Sequence, residues 1–308
     1  MSGRAEAVWD PRGRPVTAWV EQAVGPGARV RAVRAMRSSS TEKHLFEIER
    51  SDGRIVRAVL RRYPDVDRLA GDPWYEPANE AAALRILEPT PVPAPRLLAL
   101  DDTGIACGAP ALLESLVPGT AAWVPDDLEA YLVSAAERLV SIHAVAAAAA
   151  SHLPAYAPYF ADDPGPVRPV PRWTSRGSMW ERVFSLFGSS WPAARVRFIH
   201  RDYHPGNALW DGSGGGVVDW ATAARGPAGI DLARMRQNLA AHHGTGAADR
   251  FSLRYAAAGG DPTARDPFWD LLDAADSVAD LLEPGAPGDG DGNVERFEAY
   301  VASVLAEL

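Results

Sequence analysis

The chain has 308 residues, room for about two domains and for a large core without disulfide or metal staples. Hydrophobic residues make up 47% and charged residues 23%, which excludes a wholly disordered chain. Acids outnumber bases 40 to 31, for a formal charge of −9, which argues against nucleic acid as the principal partner and suits a cationic small molecule better. The single cysteine, Cys107, excludes an internal disulfide and a four-cysteine metal site, and it fits a reducing cytoplasm. Met1 to Arg14 is polar with charges of both signs, so no signal peptide is expected. The Ala-rich run Ala144 to Ala150 is too short to span a bilayer. Lys43 is the one lysine among 31 basic residues, a bias that reads as coding composition rather than chemistry.

In chain order, Pro15 to Val24 predicts a short helix ended by Gly25-Pro26-Gly27. Arg29 to Met36, His44 to Glu49 and Arg54 to Arg61 read as three strands, joined by turns at Ser38 to Thr41 and Ser51-Asp52-Gly53. Pro77 to Leu87 has Ala and Leu at helical spacing. Arg96 to Leu100 and Ala109 to Leu116 add two further strands. Five strands with one inserted helix thus occupy residues 1–116.

Residues 117–308 have a different texture. Asp126 to Ala150 reads as one long apolar-periodic helix, with Asp126 and Asp127 at its dipole-favoured end. Pro154 to Pro171 is proline-rich and loop-like, and helical text resumes at Ser178 to Leu186. Val196 to Asp219 reads as strand, polar loop, Gly-rich turn and strand. Helices follow at Asp231 to His242, Ala247 to Ala258 and Pro267 to Leu282. Pro284 to Gly292 reads as a mobile linker, and a last helix starts near Val294. The expectation is an α/β (α+β) two-lobed chain, with a small lobe holding a five-stranded antiparallel sheet and a larger, mostly helical lobe.

The chemistry is concentrated in Phe198-Ile199-His200-Arg201-Asp202-Tyr203-His204-Pro205-Gly206-Asn207-Ala208-Leu209-Trp210 and in Val217-Val218-Asp219-Trp220. The first contains H-x-D-x-x-x-x-N, the catalytic-loop spacing of phosphoryl-transfer kinases. Asp202 is the carboxylate that would orient an attacking hydroxyl. Asn207 would offer an amide oxygen to a Mg²⁺ bridging nucleotide phosphates, and Asp219 a second hard oxygen ligand.

This pair of motifs resembles the aminoglycoside phosphotransferase and choline kinase-like superfamily. Trp220-Ala221 stands where protein kinases have Phe-Gly, and no A-P-E text follows. The pattern continues through Gly226-Pro227 and Ile230-Asp231-Leu232-Ala233. The resemblance implies a protein kinase-like fold with its site in a cleft, and Asp231 bracing the loop. It implies that Arg61 stands for the family's phosphate-binding lysine, with Glu80 as its acidic partner. It also implies that Glu114 and Leu116 belong to the hinge that meets the nucleotide base, and that Leu139 to His143 is the family's L-x-x-L-H helix end. The implied reaction is Mg²⁺-dependent transfer of the γ-phosphoryl of ATP or GTP to a hydroxyl of a small molecule. An antibiotic such as an aminoglycoside comes first as acceptor, then a sugar, choline or amino-alcohol metabolite. Neither a nucleic acid nor a membrane is an expected partner, and the protein would be a cytoplasmic monomer or homodimer.

One departure concerns the phosphate loop, Arg37 to His44, which has no glycine. Ser39, Ser40 and Lys43 are its candidate phosphate contacts, Lys43 reading first as a solvated loop charge. The loop keeps open a chain that binds nucleotide or ligand with weak turnover. His200 and His204 read as loop-organising residues, Cys107 as an inert thiol, and His242-His243 as an ordinary pair rather than metal ligands. Gly212 to Gly216 reads as a hairpin turn. Asp266, Asp270, Asp273, Asp276 and Asp280 fall mostly on one helix face, either solvated or an acidic wall for a polycationic acceptor. Trp123, Trp173 and Trp180 are core residues or pocket lining.

Overall fold

The computed structural model describes residues 9–38, 41–72, 74–158, 170–171, 173–188, 191–278 and 292–308. Ser39, Ser40, Asp280, Leu281, Leu282, most of the proline-rich stretch and most of the linker Pro284 to Gly292 lie outside them. The chain divides into two compact units. The first comprises Met1–Pro89, Ala94–Val117 and Trp220–Thr222; the second comprises Thr90–Pro93, Pro118–Asp219 and Ala223–Leu308.

The first unit holds α1 (Arg14–Val24), β1 (Arg29–Met36), β2 (Glu42–Glu49), β3 (Ile55–Arg62), α2 (Val66–Gly71), α3 (Pro77–Leu87), β4 (Leu97–Asp101) and β5 (Ala111–Ser115). The strands form one antiparallel sheet in the order β1-β2-β3-β5-β4. Alternation sorts the side chains onto two faces. Phe46, Ala58, Leu60 and Leu113 pack with Val16 and Val20 of α1. The residues between them in β3, Val59 and Arg61, therefore point to the opposite face, together with their cross-strand partners Leu45, Lys43, Glu114 and Leu112. The β4–β5 connection is closed by Asp101, whose carboxylate accepts the N–H groups of Ile105, Ala106 and Cys107. Cys107 is buried there, and burial pushes its thiol up to about 12, in keeping with an inert residue.

The second unit holds α4 (Leu128–His143), α5 (Gly177–Ser185), β6 (Val196–Ile199), β7 (Ala224–Pro227), α6 (Ala228–His243), α7 (Thr245–Ala257), α8 (Pro267–Ser277) and α9 (Asn293–Leu305). Trp180, Leu271, Ala275, Phe297, Tyr300 and Val301 are part of its core. Asp127 caps α4 by accepting the Ala130 N–H. The expected helix to Ala150 stops at His143, where both ring nitrogens are tied, one to the Tyr255 hydroxyl and one to Asp231. Only a 3-10 turn remains at Ala147–Ala150. The expected strand ending at Asp219 is an isolated bridge, Ala208 to Val217, because the Val218 peptide bonds to Asn207 and His200 instead. The partner of β6 is β7, which carries no strand-like pattern.

The acidic face of α8 differs most from expectation. Asp270, Asp273 and Asp276 are buried, so they form neither a solvated face nor a wall. Arg236 and Arg265 pair with Asp270, and Arg234 with Asp273. Buried carboxylates persist only where such cations compensate the lost hydration, and these arginines lie on α6 and before α8, out of reach of helix periodicity.

Candidate active site

The loop after β6 is held from beneath by Asp231, in the first turn of α6. Its two carboxylate oxygens accept the N–H of His200 at 2.8 Å and of Arg201 at 2.6 Å. His143 Nε2 stands 3.1 Å from the same carboxylate. This grip holds Arg201 at φ 71, a left-handed conformation that a non-glycine residue adopts only under constraint. Asp231 thus has the bracing geometry that the resemblance implied.

His200 is fully buried, and burial lowers its pKa against the pull of Asp231 and Asp202, leaving it neutral. Its Nδ1 accepts the Asp202 N–H at 3.2 Å, which assigns the ring proton to Nε2, and Nε2 donates to the Val218 carbonyl at 3.0 Å. The histidine therefore couples the backbone of Asp202 to the peptide just before Asp219.

Asp202 carries a half-buried carboxylate. Asn207 Nδ2 donates to its Oδ2 at 3.1 Å and to its carbonyl at 3.0 Å. His204 Nε2 lies 3.4 Å from Oδ2 and Arg234 Nε 3.4 Å from Oδ1. Burial opposes ionisation, but His204 and Arg234 outweigh it and hold this carboxyl well below the usual range. His204 is fixed in turn by stacking on Trp123 and by accepting the Gly206 N–H at 3.0 Å. Gly206 is required there, since a Cβ would come within 2.6 Å of the His204 ring. The Tyr203 hydroxyl anchors the loop to the Ala135 carbonyl of α4.

Asn207 and Asp219 are linked by backbone, the Val218 N–H donating to the Asn207 carbonyl at 3.0 Å. Asp219 has φ 69, again left-handed. The Asn207 amide nitrogen is committed to Asp202, so a cation bound here would take the amide oxygen. An amide oxygen beside a carboxylate, with phosphate oxygens and water completing the shell, is a hard donor set that fits Mg²⁺. Among the described residues no three His, Cys, Asp or Glu side chains form a metal cluster, and His243 bonds to the Trp123 carbonyl instead.

In the first unit, Arg61 on β3 donates from Nη1 to Glu80 Oε1 of α3 at 2.6 Å, and both are buried. Glu80 also accepts the Tyr63 hydroxyl at 2.8 Å and the Trp220 N–H at 3.0 Å. Lys43 is the direct cross-strand partner of Arg61, so both point to the same sheet face. Glu114 is buried within β5, and the Leu116 N–H is taken by the Arg57 carbonyl at 3.1 Å.

The structure brings Asp202, Asn207 and Asp219 together in the second unit, and Arg61, Glu80 and Lys43 in the first. Ser39 and Ser40 lie outside the described residues. Sequence reasoning passed over Arg234, Tyr63 and the anchoring role of Tyr203. Of these, Arg234 had a signal, three positions after Asp231 on one helix face.

Residues 38–269 match the phosphotransferase enzyme family APH, and the chain belongs to that family. No curated protein sequence matches it. Solved structures share the fold at low identity. Aminoglycoside phosphotransferase APH(4)-Ia, in a ternary complex of a thermostable mutant with AMP-PNP and hygromycin B, is 17% identical with TM-score 0.62, covering 92% of this chain and 98% of that one. Macrolide 2'-phosphotransferase MphH from Brachybacterium faecium is 20% identical with TM-score 0.55, covering 93% and 96%. Aminoglycoside phosphotransferase APH(3'')-Id from Streptomyces rimosus is 20% identical with TM-score 0.53, covering 79% and 92%.

Proposed function

We propose that this phosphotransferase moves the γ-phosphoryl group of ATP or GTP to a hydroxyl of a small molecule. The observation that supports it best is the Asp202–Asn207–Asp219 arrangement, with a carboxylate contacted at both oxygens and two residues nearby that carry hard oxygen donors. Asn207 and Asp219 would hold Mg²⁺, which supplies charge neutralisation on the phosphate oxygens. The Asp202 carboxylate accepts the hydrogen bond of the acceptor hydroxyl and aims its oxygen; the gain is chiefly positioning. Lys43 and Arg61 serve the phosphates from their shared sheet face, Lys43 by direct charge and Arg61 through its pair with Glu80.

For the acceptor we infer an antibiotic, since the solved relatives named above act on or bind such compounds. The compensated acids of α8 favour one recognised through hydroxyl groups over a polycation held by carboxylates. A sugar or amino-alcohol metabolite satisfies the same observation and is the second reading. The deciding experiment is a mass-spectrometric screen with Mg²⁺ and ATP or GTP against aminoglycosides, macrolides, nucleoside antibiotics, choline, sugars and amino alcohols. A gain of one phosphoryl group, lost in Asp202→Asn while nucleotide binding persists, is expected. Nucleotide binding without transfer to any compound would favour the ligand-binding alternative.

A further inference from the structure

We propose that Arg234 is a positioning residue for phosphoryl transfer, fixing the rotamer of Asp202 from the side opposite His204 and Asn207. This rests on the phosphotransferase reading above. Arg234 lies on α6, one turn beyond the loop brace Asp231, and its side chain is 14% exposed. Its Nε stands 3.4 Å from Asp202 Oδ1 and 3.6 Å from Asp273 Oδ1, and its Nη1 donates to Ser277 Oγ at 2.5 Å. The same hydroxyl accepts Gln237 Nε2 at 2.9 Å. The guanidinium is therefore seated by two residues of α8, one helical turn apart, before it meets the catalytic carboxylate.

Two consequences follow from this geometry. Asp202 faces the Arg234 guanidinium across an ion pair at Oδ1 and accepts a hydrogen bond from Asn207 at Oδ2, where His204 also stands at ion-pair distance, so opposite charge or a donor meets each oxygen. Arg234 also stands between two carboxylates, Asp202 and buried Asp273, which would repel each other without it. The titratable and charged groups facing this point are His200 and His204 from the loop, Arg234 from α6, and Asp270, Asp273 and Asp276 from α8. Asp273, together with Ser277, thus acts on the reaction through Arg234, as the anchor of the residue that aims Asp202. What the site uses is a cation between the two carboxylates, and an ammonium at this position retains that charge.

The test uses water as the acceptor probe, so that it does not depend on the natural one. Steady-state Mg·ATP hydrolysis is measured for wild type, Arg234→Gln, Arg234→Lys and Ser277→Ala, with circular dichroism to establish folding. Arg234→Gln should lower kcat by about 10- to 100-fold, the range that a small misplacement of a positioned group produces, with the KM for ATP within about twofold. Arg234→Lys should recover most of the loss, and Ser277→Ala should cost a few-fold at about the same KM. An unchanged kcat in Arg234→Gln overturns the proposal. So does a rise in KM with kcat intact, which would put Arg234 on the nucleotide, or an equal loss in Arg234→Lys, which would mark a purely structural role. A crystal structure of Arg234→Gln decides independently of turnover: Asp202 leaving its place beside Asn207 supports the proposal, and Asp202 unmoved overturns it. Wild type that neither binds nor hydrolyses nucleotide would defeat the phosphotransferase reading instead, with the crystal structure still deciding the role of Arg234.

Discussion

Asp273 combines near-complete burial with neighbours of both signs. Burial pushes its carboxyl up to about 7; Arg234 opposes this, and Asp276, Asp202 and Asp270 reinforce it. Asp270 is raised as well, again chiefly by burial. A carboxyl whose folded pKa lies above its unfolded value binds its proton more tightly in the native state. Its contribution to stability is complete below about pH 4 and lost as pH rises toward 7. The expected loss is up to about 1.4 kcal/mol per pH unit for one such group. Asp273→Asn should flatten that dependence between pH 4 and 7, read as urea midpoints across pH. A parallel slope in wild type and variant would refute it. Glu80 poses the opposite case, a buried acid already satisfied by Arg61, Tyr63 and the Trp220 peptide. Arg61→Met should cost about 3–5 kcal/mol in equilibrium unfolding by stranding that carboxylate. A loss below about 1 kcal/mol, the range of exposed pairs, would mean that the pair is not structurally important.

At the scale of elements, the loop after β6 is a strained connection held by a helix start. Asp231 satisfies two loop N–H groups and, through His143, ends α4 and engages Tyr255 of α7. Asp231→Ala should orphan both N–H groups at about 1–3 kcal/mol each, and it should remove phosphoryl transfer together with stability. Thermal unfolding and Mg·ATP turnover on one preparation check this; full activity with lowered stability would separate the brace from the chemistry. These same contacts explain where element boundaries were and were not legible. Asp127 announced the start of α4 as a capping residue, whereas its end depends on partners 88 and 112 residues away, which no local pattern contains. The strands of the sheet were legible because alternation and Ser-Asp-Gly turn chemistry are local. Strand β7, Ala224 to Pro227, has a glycine and a proline, and it is a strand only because β6 lies beside it.

At the scale of the whole molecule, the chain order and the compact units differ at one informative place. Trp220–Thr222 belongs to the first unit although it lies more than a hundred residues beyond Val117. It supplies the peptide N–H that Glu80 accepts and the Ala221 carbonyl that receives Asn79 Nδ2. A fragment of residues 1–117 lacks both and leaves buried polar groups of α3 unsatisfied. It should show poor amide dispersion by NMR and a lower urea midpoint than the first unit of the intact chain. A well-dispersed fragment of equal stability would show that the returning segment is dispensable. Among the described residues no helix is long and apolar enough to cross a membrane.

The sequence by itself determined the family, the five strands in order and the candidate triad Asp202, Asn207 and Asp219. Each of these is written in local spacing: alternation, turn residues and two motifs whose chemistry demands fixed intervals. Tertiary structure alone decided what the acids of α8 do and which cation faces Asp202. Periodicity places Asp270, Asp273 and Asp276 on one face but does not say what covers that face. Burial and ion pairing are properties of neighbours distant in sequence, and here three arginines turn what reads as a solvated stripe into a buried anchor.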